Sequence, residues 1–139
     1  MHSTYIWQND LIKKWGSGTT HVMNPSLHYG IAAFEGIRFY QTDKGSAIFR
    51  LKDHLDRFFY SMNVLGMPII HDQEKLTKAM KDLIILNNMS EGYIRPIAWF
   101  SEQVVGLHNA GGKTSIQIAL FEWKKSHTNT LRVHVSPFL

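Results

Sequence analysis

Two arginine-bearing segments carry the residue types and spacing that could do chemistry. One is His28-Tyr29-Gly30-Ile31-Ala32-Ala33-Phe34-Glu35-Gly36-Ile37-Arg38-Phe39-Tyr40, and the other is Gly92-Tyr93-Ile94-Arg95-Pro96. Side chains alternate faces along a strand. A strand over 34–41 therefore puts Phe34, Gly36, Arg38 and Tyr40 on one face, and a strand over 92–100 groups Tyr93, Arg95, Ile97 and Trp99. Each face sets a guanidinium among aromatics, in a segment otherwise apolar enough for core. Burying an unpaired charge is very costly, so an arginine there needs an anion. Gly36 beside Phe34 leaves a place where a ligand could approach the backbone. The expected chemistry is recognition of an anionic small molecule.

Other chemistries find less support in the residues. The eight histidines offer no ligand pair, since the nearest, His21 with His28 and His127 with His134, stand seven residues apart. Metal sites draw on much closer spacings, so no metal is expected. No nucleophile elbow, phosphate loop or dinucleotide fingerprint is present. The absence of cysteine excludes disulfides and thiolate chemistry, and is compatible with a cytoplasmic protein. A net charge of +4 and a pI near 9.4 raise the question of nucleic acid. The lysines are scattered, however, so no nucleic-acid partner is expected. No apolar run is long enough to span a bilayer, and Met1 to Tyr5 lacks a signal pattern, so no membrane is expected.

The elements that must position the arginines are legible from pattern. With 139 residues, 44% of them hydrophobic and 12% aromatic, the chain is expected to form one domain with a real core. Tyr5-Ile6-Trp7, Asn9-Asp10 and Leu11-Ile12 read as a small hairpin. Gly16-Ser17-Gly18 and Asn24-Pro25 read as loops. The strand Glu35 to Gln41 turns through Thr42-Asp43-Lys44-Gly45 into a return strand, Ala47 to Phe49. A helix from Leu51 to Leu65 has Leu51, Leu55, Phe58, Phe59, Met62 and Leu65 as its apolar stripe and ends at Gly66. A second, capped by Asp72, runs from Gln73 to Leu86 with Leu76, Ala79, Met80, Leu83 and Ile84 inward. Strands over Tyr93 to Phe100, Ser115 to Glu122 and Leu131 to Val135 follow, and Pro96 suggests an edge or a bulge. The expected fold class is α+β, a two-layer sandwich of a mainly antiparallel sheet with two principal helices.

Four motifs in order carry a family resemblance: His28-Tyr29-Gly30, then Phe34-Glu35-Gly36-Ile37-Arg38, then Phe49-Arg50-Leu51 with His54 and Arg57, then Tyr93-Ile94-Arg95-Pro96. From about Ile6 to Phe138 the chain resembles the N-terminal half of the branched-chain aminotransferases, pyridoxal-phosphate enzymes of fold type IV. The resemblance implies that Arg57 holds the cofactor phosphate, which suits the planar fork of a guanidinium. Read without it, Arg57 is a solvated helix arginine pairing with Asp53. The resemblance also implies that Phe34, Gly36, Tyr93, Arg95 and Trp123 line the substrate pocket, with Arg95 reading carboxylates. Without it, Arg95 reads as a structural ion pair with Glu35. Arg38 reads as a support for the pocket strand. Tyr29, Val105 and Leu107 would reach the site of a neighbouring subunit, implying a homodimer or higher oligomer.

Pyridoxal chemistry needs a lysine for the Schiff base, and none of the ten lysines here matches the family's catalytic one. The expectation is an N-terminal domain, residues 1–139, that cannot complete amino transfer alone. The enzyme so implied would move the amino group of leucine, isoleucine or valine to 2-oxoglutarate. The alternatives are a D-amino-acid aminotransferase or aminodeoxychorismate lyase of the same fold, or a non-catalytic binding or dimerisation module.

Overall fold

Asn9 and Asp10 both take positive φ, 46° and 72°, a conformation their short polar side chains tolerate. They close the hairpin between β1 (Tyr5–Gln8) and β2 (Leu11–Lys14). The Asn9 side chain accepts from the Ile116 N–H at 2.9 Å and donates to Ser115 Oγ at 3.0 Å, fastening the hairpin to the sheet. The computed structural model describes residues 2–102 and 112–123, with Val133 and Val135. Where loop was expected at Asn24-Pro25, a short helix forms, α1 (Pro25–Tyr29). Asn24 accepts from the Ser26 N–H at 2.8 Å, proline occupies the first turn, and Gly30 at φ 68° closes the end. The amide nitrogen of Asn24 donates to the Phe100 carbonyl at 2.8 Å.

A 3-10 turn, Trp15–Ser17, stands where part of a loop was expected. The remaining strands and α-helices are β3 (Ala32–Phe34), β4 (Ile37–Thr42), β5 (Gly45–Ile48), α2 (Leu51–Val64), α3 (Gln73–Leu86), β6 (Gly92–Phe100) and β7 (Thr114–Phe121). All pairings among the described strands are antiparallel, in the order β2-β1-β7-β6-β4-β5, with β3 paired to the second half of β6. The expected α+β two-layer architecture is what forms. The expected strand over 131–135 lies outside the described residues, apart from Val133 and Val135, which are exposed and in no strand.

One sheet face packs on α2 and α3. Trp7, Ile37, Phe39, Ile94, Ile116, Ile118 and Leu120 meet Leu55, Phe58 and Met62 of α2 and the whole expected stripe of α3. Leu65 stands outside α2 and is exposed, a correction to that helix's stripe. Asp72 caps α3 by accepting from the Lys75 N–H at 2.7 Å.

The long strand expected over 34–41 is interrupted. β3 ends at Phe34, β4 starts at Ile37, and the gap faces Pro96 of β6. Pro96 is therefore central, not at an edge. Its carbonyl accepts from the Glu35 N–H at 3.1 Å, so its N–H-less nitrogen faces the same gap, where the ladder is already broken. The interruption keeps the alternation of faces intact.

Candidate functional site

On the sheet face away from α2 and α3, the register brings the expected arginines together. Arg38 pairs with Tyr93, and Arg95 sits across from the small Ala119. The Arg95 guanidinium lies over the Phe34 ring at 4.6 Å and beside the Tyr93 ring at 5.3 Å, and its Nη2 donates to Tyr93 Oη at 3.1 Å. Arg38 lies over Tyr40 at 5.3 Å. Tyr93 stacks on Trp123 at 4.8 Å and 20°, with Phe121 at 4.9 Å. Rings of this kind favour a cation through their negative faces. They do not satisfy N–H donors, and the Nε–H groups of Arg38 and Arg95 are buried without a hydrogen-bond partner among the described residues. Both arginines are half-buried, so a carboxylate or phosphate would meet the outer part of each guanidinium and not the enclosed Nε–H.

Gly36 has a different use from the one its sequence suggests. The space that a side chain would take there is filled by the Tyr93 hydroxyl, which a Cβ would overlap. The glycine admits the tyrosine, not a ligand, to close range of the backbone. Phe34, Gly36, Tyr93, Arg95 and Trp123 thus form one contact chain.

Arg57 is joined to this chain through Glu35, the residue between Phe34 and Gly36. Alternation turns the Glu35 side chain to the helix side, where it is 4% exposed. Arg57 Nε donates to Oε1 at 2.5 Å and Nη2 to Oε2 at 2.7 Å, while His54 Nδ1 meets Oε2 at 2.9 Å. His54 and Arg57 are one turn apart on α2, so both reach the same carboxylate. Neither sequence expectation for the ion pairs holds. Asp53 pairs with Arg50 at 2.8 Å, and Glu35 belongs to Arg57 instead of Arg95. The role of Glu35 was missed, although its opposite parity to Phe34 and the His54-x-x-Arg57 spacing both pointed to it.

Burial by itself would raise the Glu35 carboxyl, but hydrogen bonds from Arg57 and His54, and their charges, outweigh it and hold the group below its usual value. A lowered folded-state value means stability that is present above the ordinary glutamate value of about 4.5 and lost as pH falls through the lower folded value. Urea titrations of wild type and Glu35→Gln should therefore differ at neutral pH and converge on acidification. A difference that persists undiminished to pH ~2 would contradict the ionic origin.

The remaining candidates divide. Tyr29 closes α1, is 40% exposed and has its ring beside that of His28. Val105 and Leu107 lie outside the described residues. Among the described residues no group of three or more metal-ligating side chains occurs. A cavity of about 870 Å³ between Ile48, Leu51, Lys81, Ile84 and Met89 is lined by neither Arg38 nor Arg95. A smaller one of about 360 Å³ adjoins Phe34, with Tyr60, Val64 and Leu65 of the α2 end. Among the described residues no helix is long and apolar enough to cross a membrane.

The sheet face away from the two helices sets two arginines among aromatic rings, and comparison with known proteins gives the chain a family. The sequence profile of the amino-transferase class IV family matches residues 32–138, and the chain belongs to that family. Within it, the chain is 37% identical over 118 residues to the branched-chain-amino-acid aminotransferase of Pseudomonas aeruginosa, covering 85% of this chain and 38% of that protein. The Escherichia coli K12 enzyme of the same name is 37% identical over 120 residues, covering 86% and 39%. The crystal structure of the E. coli branched-chain amino acid aminotransferase superposes with TM-score 0.84 at 36% identity, over 87% of this chain and 40% of that one. A second solved branched-chain amino acid aminotransferase, from T.th., is complexed with N-(5'-phosphopyridoxyl)-L-glutamate and gives 0.84 at 38% identity, over 87% and 41%. The chain thus spans about two fifths of the length of these relatives.

Proposed function

We propose that these 139 residues form the N-terminal domain of a pyridoxal-phosphate-dependent branched-chain aminotransferase. In the enzyme the amino group of leucine, isoleucine or valine passes to 2-oxoglutarate. The observation that carries this reading is the pair Arg38 and Arg95, two half-buried guanidiniums set over aromatic rings on one sheet face. A reaction that uses both branched-chain amino acids and glutamate needs an apolar wall with a guanidinium at its rim. Phe34, Tyr93 and Trp123 supply the wall and Arg95 the guanidinium, while Gly36 gives Tyr93 its place. Burial of branched side chains against such a wall is favourable by about 0.8 kcal/mol per methylene.

The residues present also fit the cofactor. Arg57 is largely exposed, at 65%, and Glu35 takes only one edge of its fork, which leaves the other N–H groups for the phosphate. Bound pyridoxal phosphate would supply the electron sink for charge developing at the substrate Cα. We assign Arg57 to binding that phosphate. Exposed Tyr29, with Val105 and Leu107, would complete the site of a second subunit in a homodimer. A cytoplasmic location suits the cysteine-free composition.

The Schiff-base lysine is assigned to no residue of this chain. Lys52, Lys75 and Lys78 pair with Asp56, Asp10 and Asp82. Lys13 donates to Gln8 from β2, three strands from β6 in the sheet order, or roughly 14 Å from the Arg95 strand at normal strand spacing. Borohydride reduction of this chain with pyridoxal phosphate, followed by peptide mass spectrometry, should find no lysine labelled near unit stoichiometry. A chain extended to the length of its relatives should be labelled at one lysine and transaminate leucine with 2-oxoglutarate. Stoichiometric labelling within the 139 residues would overturn the domain assignment.

A further inference from the structure

We propose that Glu35 is the positioning residue for the cofactor-phosphate arginine, gripping one edge of the Arg57 guanidinium so that the opposite edge is presented to the phosphate. The proposal rests on Arg57 meeting the phosphate, as proposed above. It goes further in giving a function to a buried carboxylate that otherwise only interrupts a strand.

An arginine on an exposed helix face samples many rotamers, and only some aim its fork at a given point. Arg57 lacks that freedom. Nε and Nη2 both donate to Glu35, so the guanidinium plane is fixed by two nearly parallel bonds. The carboxylate is itself fixed from three directions. Its backbone N–H is tied to Pro96, His54 meets Oε2, and the residue is buried between sheet and helix. What remains of the fork is chiefly the Nη1 group, since Nη2 also lies 3.5 Å from His54 Nδ1, on a side chain that is 65% exposed. The site is thereby tied together, because Glu35 lies between Phe34, which carries Arg95, and Gly36, which admits Tyr93. One tripeptide sets the distance between the phosphate arginine and the substrate arginine.

A competing effect acts in the opposite direction. A carboxylate beside Arg57 partly cancels its charge, which by Coulomb attraction alone would weaken phosphate binding. Neutralising Glu35 separates the two effects. If orientation dominates, Glu35→Gln loosens phosphate; if charge dominates, it tightens phosphate.

The readout is the ratio of dissociation constants of this chain for pyridoxal and pyridoxal phosphate, measured by equilibrium dialysis. It is read beside the Arg57 Nε–H resonance in nitrogen-15 spectra. In wild type, pyridoxal phosphate should bind more tightly than pyridoxal and should shift that resonance. Arg57→Ala should abolish the preference. Glu35→Gln should lower it roughly five- to tenfold, less than the full loss of a hydrogen bond to a charged group because glutamine keeps one acceptor for Arg57, while pyridoxal binding stays unchanged. The Nε–H signal should then exchange faster with water, and Glu35→Gln should have no further effect in the Arg57→Ala background. If wild type shows no phosphate preference, or Arg57→Ala retains it, the phosphate role of Arg57 is wrong and the proposal falls with it. If Arg57→Ala abolishes the preference but Glu35→Gln preserves or raises it, Arg57 keeps its role and only the positioning by Glu35 is overturned. Should Glu35→Gln not fold, His54→Ala takes its place, removing one contact to the carboxylate at a helix position that alanine suits. A smaller fall in the same ratio supports the proposal, and a wild-type ratio overturns it.

Discussion

Arg95→Ala, made in an enzyme extended to the length of its relatives, should lower the selectivity kcat/KM(glutamate) over kcat/KM(leucine) by about 10- to 100-fold. A hydrogen bond to a charged group contributes about 1.5–3 kcal/mol, and each ~1.4 kcal/mol is a factor of ten. The loss should fall on glutamate because the Arg95 guanidinium stands between the rings of Phe34 and Tyr93, the latter stacked on Trp123, where a branched side chain would make only apolar contact. Arg57→Ala gives the contrast. The cofactor phosphate is present whichever substrate enters, so cofactor should be retained less well while selectivity stays near wild type at saturating cofactor. Steady-state kinetics with both donors decides the matter. Equal slowing of glutamate and leucine in Arg95→Ala would mean that Arg95 reads the α-carboxylate or only supports the sheet.

Much of this site was legible in the sequence because strand periodicity is local. Phe34, Gly36, Arg38 and Tyr40 share a face with Tyr93 and Arg95 even though β3 and β4 are separate strands. The bounds of α3 were equally legible, since a capping aspartate and an uninterrupted apolar stripe both lie in the chain itself. What escaped depends on how elements dock. The Glu35 carboxylate meets a side chain 22 positions away, and only the seating of α2 on the sheet decides whether Arg57 turns to Glu35 or to Asp53. Pro96 escaped for a related reason. A missing N–H costs a ladder bond only on the side it faces, and that side happens to be the gap at Glu35 and Gly36. With five residues, α1 is too short to show a helical period. The use of Gly36 was hidden by the sheet register, which sets Tyr93 where a ligand had been expected.

That contact gives the second large effect, Gly36→Ala. The added methyl would overlap the Tyr93 hydroxyl and lie 2.7 Å from Cζ, closer than real side-chain carbons approach. Tyr93 cannot easily yield, because Trp123 is stacked on it at 4.8 Å and Phe121 lies at 4.9 Å. Overpacking of this kind typically costs about 1–3 kcal/mol, and chemical denaturation should show a loss in that range. Movement of the tyrosine would also break its bond to Arg95 Nη2, so the extended enzyme should lose selectivity for glutamate along with stability. Tyr93→Phe removes the nearer of the two clashing atoms. Combined with Gly36→Ala it should recover part of the lost stability but not the selectivity, since the hydroxyl that orients Arg95 is gone. The two substitutions should therefore couple in a double-mutant cycle, as neighbours in contact do. Strict additivity, or a Gly36→Ala chain as stable as wild type, would show that Tyr93 does not occupy the space above Gly36 in solution.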